Sequence, residues 1–236
     1  MLERILPEGV AVASTAGDLD VPLFPEEEAM VSRAVEKRRR EFVTARACAR
    51  QALGQLGVPE QAIPAGAKGE PRWPAGVVGS ITHCAGYRAC ALARATDLLT
   101  IGVDAERDEP LPDGLLADVA LPEERRRMRG LEAVAPGVSW DRLLFSIKEA
   151  VYKAWFPLAR RWLGFEDATV AIDGQRGTFS ARLLVPGPSV GGAELTDFSG
   201  RWLAEGGLLF AAIAVPAGAS PAASANFAPA RERVDD

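Results

Sequence analysis

The sequence predicts an α+β fold in two halves, residues 1–98 and 99–215, followed by a disordered tail at 216–236. Two long helical patterns stand about a hundred residues apart, and several short strand patterns accompany each. The closing stretch PAGASPAASANFAPARERVDD is rich in Ala, Pro and Ser, a composition that does not build a core. The halves show no sequence repeat, so any symmetry between them would be one of structure.

The first thirty residues mix short apolar runs with Pro and Gly and read as irregular or short-stranded. A helix begins at Pro25, with Glu26, Glu27 and Glu28 as an acidic first turn. Its apolar positions run through Val35, Phe42, Ala45, Ala49 and Leu53 until Gly54 and Gly57 stop it. The outer face is basic, with Arg33, Lys37, Arg38, Arg39, Arg40, Arg46 and Arg50 against Glu36 and Glu41. Pro and Gly make 59–76 a loop, and 77–81 and 87–93 read as paired strands. A strand at 98–106 alternates Ile101 and Val103 with Gly102, Asp104 and Glu106. Residues 107–138 are turn-rich around one short charged helix. The second long helix spans 140–163, with Ser139 as N-cap, Leu144, Ile147, Val151, Ala154 and Leu158 as buried stripe, and Pro157 disturbing its end. Strands follow near 168–172, 178–185 and 201–215.

Composition limits the chemistry. The chain has 236 residues and a net charge of −5, which argues against a globally basic nucleic-acid binder. Its single histidine, His83, excludes multi-histidine zinc sites. Cys48, Cys84 and Cys90 form an odd set without CxxC spacing, so neither a disulfide framework nor a zinc site is indicated. No signal-peptide pattern or membrane-length apolar run is visible, and the expected location is the cytoplasm.

Four groups of residues could carry chemistry. Asp104 and Glu106, two apart on a strand, share a face at a separation of about 7 Å, which suits a hard cation such as Mg²⁺. Glu149 and Lys153 are one helical turn apart, opposite the buried stripe. Of 27 basic residues only four are lysine, yet Lys148 and Lys153 fall in one six-residue window, where a compact charge able to release a proton is a functional hint. Thr82 and His83 end the strand Gly79-Ser80-Ile81-Thr82-His83-Cys84, where hydroxyls and an imidazole could bind phosphate. The basic helix face, with Lys68-Gly69-Glu70-Pro71, suits a polyanionic ligand.

In order and spacing these segments resemble the Sfp-type 4′-phosphopantetheinyl transferases, most closely their actinobacterial branch. Ile101-Gly102-Val103-Asp104-Ala105-Glu106 is similar to the family's G-(I/V)-D-x-E motif, and Phe145-Ser146-Ile147-Lys148-Glu149-Ala150-Val151-Tyr152-Lys153 to its K-E-(A/S)-x-x-K motif. Thr82-His83 resembles the S/T-H motif and Lys68-Gly69-Glu70-Pro71 the G-x-P loop, with Glu70 where many members carry a basic residue.

The resemblance implies two pseudo-symmetric α/β halves in one monomeric chain. It also implies transfer of the phosphopantetheine arm of coenzyme A to a serine of apo acyl or peptidyl carrier proteins, releasing adenosine 3′,5′-bisphosphate. Asp104, Glu106 and Glu149 would hold Mg²⁺, for which Mn²⁺ could substitute; Glu149 would be the base and Lys153 would steady the leaving phosphate. Thr82 and His83 would bind phosphates of coenzyme A, and Arg38, Arg46, Lys68, Gly69, Glu70 and Pro71 would line its nucleotide end. The competing readings are a coenzyme A- or carrier-binding module without activity, another Mg²⁺-dependent phosphotransferase, and a cysteine hydrolase. The first expects a lost Glu149, Lys153 or strand carboxylate, the second has no Walker loop, and the third fails because adjacent strand residues His83 and Cys84 face opposite ways.

Overall fold

The chain folds as helix, sheet, sheet and helix in four layers, because two antiparallel sheets each bury one face on a long helix and the other face on each other. The structure, a computed structural model, describes residues 1–133 and 135–218. In chain order the elements are β1 (Ala11–Thr15), α1 (Pro25–Val31), α2 (Glu36–Gln55), β2 (Val77–Cys84), β3 (Tyr87–Arg94) and β4 (Leu98–Arg107). Then come α3 (Leu115–Val119), α4 (Pro122–Leu131), α5 (Trp140–Ala159), β5 (Ala168–Asp173) and β6 (Thr178–Leu183). The short pair β7 (Ser189–Val190) and β8 (Ala193–Glu194) precedes β9 (Asp197–Glu205) and β10 (Leu208–Pro216).

One sheet has the order β1-β3-β2 and the other β4-β10-β9-β6-β5. Strand alternation sorts the side chains into layers. On β3, Cys90 and Leu92 meet Ala49, Ala52 and Leu53 of α2, while Tyr87, Ala89, Ala91 and Ala93 face the other sheet. On β10, Phe210, Ala212 and Ala214 face that same middle layer, and Leu209, Ala211 and Ile213 pack under α5. The sheets are also pinned along one edge. The amides of Val103 and Ala105 on β4 donate to Ser80 Oγ (3.1 Å) and Thr82 Oγ1 (2.9 Å) on β2, so the two strands run parallel with hydroxyls replacing carbonyl acceptors.

The α+β class and the two long helices agree with the sequence, and several details differ. The first helix is broken at residues 32–35: Val35 is extended (φ −63°, ψ 151°) and 75% exposed, not part of a buried stripe. The break lets Arg39 of α2 turn back onto Glu28 of α1 in a two-pronged ion pair (2.6 and 2.9 Å). The second long helix stops at Ala159, four residues early. Arg160 takes a left-handed φ of +52° and its amide caps Phe156 O, with Pro157 in the last turn. Ser139 makes no side-chain cap; its own amide donates to Asp108. The strand expected at 201–215 is a hairpin, because Gly206 and Gly207 (φ +62° and +73°) form a two-residue turn that only glycine adopts easily. The expected tail lies outside the described residues from 219 onward, and Pro216 at its start ends β10.

Candidate active site

Gly102 sets the spacing of the site. A Cβ there would overlap Ala150 O and come within 2.8 and 2.9 Å of Ala154 N and Cβ, so only glycine lets α5 lie directly on β4. Thr100 Oγ1 adds a hydrogen bond to Ala154 O (2.9 Å). With helix and strand this close, the outward carboxylates of β4 meet the charged face of α5.

Asp104 is 5% exposed. Its Oδ1 accepts from Lys153 Nζ (2.7 Å) and from the Thr82 hydroxyl (3.2 Å), and Lys153 also donates to Val103 O (3.1 Å). Asp104 Oδ2 is buried with no partner. Burial, then repulsion from Asp104, raises the Glu106 carboxyl to about 7, against the pull of Arg142, whose Nη1 lies 3.3 Å from Glu106 Oε2. Glu149 is raised for the same two reasons, burial first and Asp104 second. Asp104 thus repels both Glu106 and Glu149, although among the described residues no group of three or more His, Cys, Asp or Glu side chains is placed to hold a metal ion. Mg²⁺ takes one or two protein carboxylates and completes its shell with water and phosphate, so an open oxygen set with one orphaned buried oxygen fits it.

Glu149 and Lys153 also border a cleft of about 920 Å³ between α2, the 65–73 loop, β2 and α5. Of the residues predicted to touch a ligand, the cleft brings together Arg38, Arg46, Lys68, Gly69, Glu70, Pro71, His83, Glu149 and Lys153. His83 is partly exposed there, 3.7 Å from Glu41, and its pKa is lowered by desolvation against the opposing pull of Glu41. A second cleft of about 310 Å³, walled by Trp162, Leu163, Phe165 and Tyr152, also reaches Glu149.

Several expectations need correction. Thr82 is fully buried in the seam between β2 and β4 with both hydroxyl bonds used, so its side chain is not on the cleft wall. Arg46 borders the cleft but is 4% exposed. It donates to Ile63 O (2.7 Å) and lies 4.2 Å over the Phe42 ring, and desolvation lowers its pKa to about 10. Arg46 and Arg50 flank the buried Glu27, which also accepts from Phe24 N and Ile63 N. The basic face of the first long helix is therefore partly an internal ion cluster. Lys148, taken as a functional hint, is buried against Glu124 (2.9 Å) and donates to Phe165 O and Ala168 O. Glu70 turns back to accept from Lys68 N (3.0 Å) and lies 3.5 Å from Arg160. The Cys84 thiol is pushed up to about 11 by burial and by Glu106, which disfavours it as a nucleophile.

Sequence reasoning missed Arg72, Trp73, Tyr152 and Arg160 on the cleft wall. Arg72 and Trp73 directly follow Pro71, so extending that loop would have found them. Nothing local marked Arg160.

Residues 26–93 match the family model "4′-phosphopantetheinyl transferase N-terminal domain", and residues 100–190 match "4′-phosphopantetheinyl transferase superfamily". The chain belongs to the 4′-phosphopantetheinyl transferase superfamily. It is 55% identical over 214 residues, 91% of this chain and 87% of the relative, to "4′-phosphopantetheinyl transferase Svp" of Streptomyces mobaraensis. It is 48% identical over 223 residues to "4′-phosphopantetheinyl transferase Npt" of Nocardia iowensis, covering 91% of this chain and 99% of that one. Against "4′-phosphopantetheinyl transferase PptT" of Mycobacterium tuberculosis it is 49% identical over 194 residues, 80% and 85% of the two chains. Both motif pairs that carried the resemblance fall inside the matched transferase segments.

Proposed function

We propose that this chain moves the 4′-phosphopantetheine group of coenzyme A to a serine hydroxyl of an apo acyl or peptidyl carrier protein and releases adenosine 3′,5′-bisphosphate. One observation carries the reading: a cleft with cationic walls is bordered by Glu149 and by Lys153, and Lys153 is bonded to Asp104, which keeps one buried oxygen unpartnered. Relatives named as such transferases support it. Arg38, Lys68, Arg72 and His83 suit the phosphates at the nucleotide end, and the aromatic cleft suits the less polar pantetheine arm. Asp104, Glu106 and Glu149 would hold Mg²⁺, which when bound neutralises charge on the pyrophosphate. Glu149, its pKa raised by burial and by Asp104, takes the proton as the serine oxygen attacks the phosphorus bearing the pantetheine arm. The bond from that phosphorus to the bridging oxygen breaks, and Lys153, already beside Asp104, steadies the charge that leaves with the nucleotide. The reading includes a monomer in the cytoplasm; three free cysteines suit a reducing compartment.

The test is a panel of apo carriers incubated with the protein, coenzyme A and Mg²⁺ and read by intact mass. The expected result is a gain of one phosphopantetheine on at least one carrier and formation of adenosine 3′,5′-bisphosphate in equal amount. No gain on any carrier would reject the reading.

A further inference from the structure

We propose that Thr82 is a positioning residue for the cation site: it belongs to the seam between the sheets and acts on Asp104, rather than binding the substrate's phosphates. The inference rests on the functional reading above for the presence of a divalent cation.

The hydroxyl is fully buried and has one proton to give and a lone pair in use. It accepts from Ala105 N (2.9 Å), which fixes β4 beside β2, and it donates to Asp104 Oδ1 (3.2 Å). Lys153 donates to the same oxygen from the other element, α5 (2.7 Å). Asp104 Oδ1 is therefore occupied from two sides and Oδ2 from none. Two donors on one oxygen fix the plane of the carboxylate, and the remaining buried oxygen is left as the acceptor for a cation. A carboxylate held in this way meets a cation through one oxygen and loses little rotamer freedom in doing so.

Ser80 provides an internal comparison. Its hydroxyl accepts from Val103 N (3.1 Å) in the same seam, and among the described residues it makes no hydrogen bond to Asp104. Ser80 and Thr82 both join the sheets, and Thr82 alone reaches the carboxylate.

Thr82→Val keeps the shape and removes both hydrogen bonds. The experiment measures Mn²⁺ affinity in the presence of coenzyme A by calorimetry, coenzyme A affinity without metal, and thermal melting, for wild type, Thr82→Val, Thr82→Ala, Thr82→Ser and Ser80→Ala. The expected result is Mn²⁺ binding weakened about tenfold or more in Thr82→Val or Thr82→Ala, equivalent to about 1.4 kcal/mol, and restored in Thr82→Ser. Metal-free coenzyme A affinity should stay within about twofold. Ser80→Ala should melt lower while keeping wild-type Mn²⁺ affinity. Weakened coenzyme A binding with unchanged Mn²⁺ affinity would overturn the proposal and return Thr82 to phosphate binding. Equal Mn²⁺ losses in Thr82→Val and Ser80→Ala would also overturn it, because the effect would then be general to the seam. So would loss of a cooperative melt in both apolar variants, which would make the hydroxyl a folding requirement only. If wild type itself binds no Mn²⁺, this inference and the metal part of the functional reading fail together; wild-type binding with an unaffected Thr82→Val removes this inference alone.

Discussion

Glu106 is where burial, repulsion from Asp104 and attraction from Arg142 meet, and burial with repulsion wins. Its carboxyl rises from 4.5 to about 7. Between those values the folded chain holds a proton that the unfolded chain has lost, so this group's contribution to stability falls as pH rises through the window. Glu106→Gln has no such group. The variant should gain on wild type from about pH 5 to about pH 8, read as a widening difference in Tm, and a constant difference would place Glu106 in ordinary solvent. Asp104→Ala and Glu149→Gln should each abolish transfer to an apo carrier while leaving far-UV circular dichroism unchanged. Substantial activity in either would remove it from its assigned role. These residues were legible because a two-residue strand spacing and a four-residue helix spacing put charges on common faces. The internal partners of Thr82, Lys148 and Arg46 were not foreseen because Asp104, Glu124 and Ile63 O lie between 17 and 24 residues away and no spacing rule connects them.

The strand β4 and helix α5 work as one element, since Gly102 brings their backbones together and Thr100, Lys153 and Asp104 bond across the gap. Gly102→Ala should cost about 1–3 kcal/mol in denaturant unfolding as α5 is pushed away. Transfer should fall further than stability explains, because Glu149 and Lys153 move with the helix. Retained kcat at full folding would show that the close approach serves packing alone. The buried Lys148–Glu124 pair braces the opposite flank of α5, and Glu124 also accepts from Leu121 N and Val170 N. Lys148→Ala leaves that carboxylate without its cation and should cost about 3–5 kcal/mol. An unfolding free energy within about 1 kcal/mol of wild type would show that the pair does not brace the helix. The phase of α5 was readable from its apolar stripe. The break between α1 and α2 was not, because Ser32-Arg33-Ala34-Val35 contains no breaker and the turn answers to tertiary pairing of Glu28 with Arg39.

Across the whole molecule, the middle layer belongs to neither sheet alone. Leu2, Ile5, Leu6, Val12 and the inward face of β3 pack with Ile101, Val103 and Ala105 of β4 and with Phe210, Ala212 and Ala214 of β10. The first thirty residues read as irregular or short-stranded and do hold the short strand β1, but nothing in them marked Leu2, which is completely buried in this shared core. Short apolar runs without periodicity do not reveal which distant sheet they cover. The cleft adds a second bridge, since its walls come from α2 and β2 on one side and α5 on the other. Neither sheet can lose its partner without exposing the apolar middle layer and parting the Ser80 and Thr82 hydrogen bonds. The described fold should therefore unfold in one step, with calorimetric and van't Hoff enthalpies in agreement. Coenzyme A bound in the bridging cleft should move that single transition upward as a whole, by about 2.7 kcal/mol at a hundredfold excess over Kd. Two resolved transitions, with only one shifted by coenzyme A, would mean that the middle layer is an interface between independently stable halves and that the cleft is held by one of them.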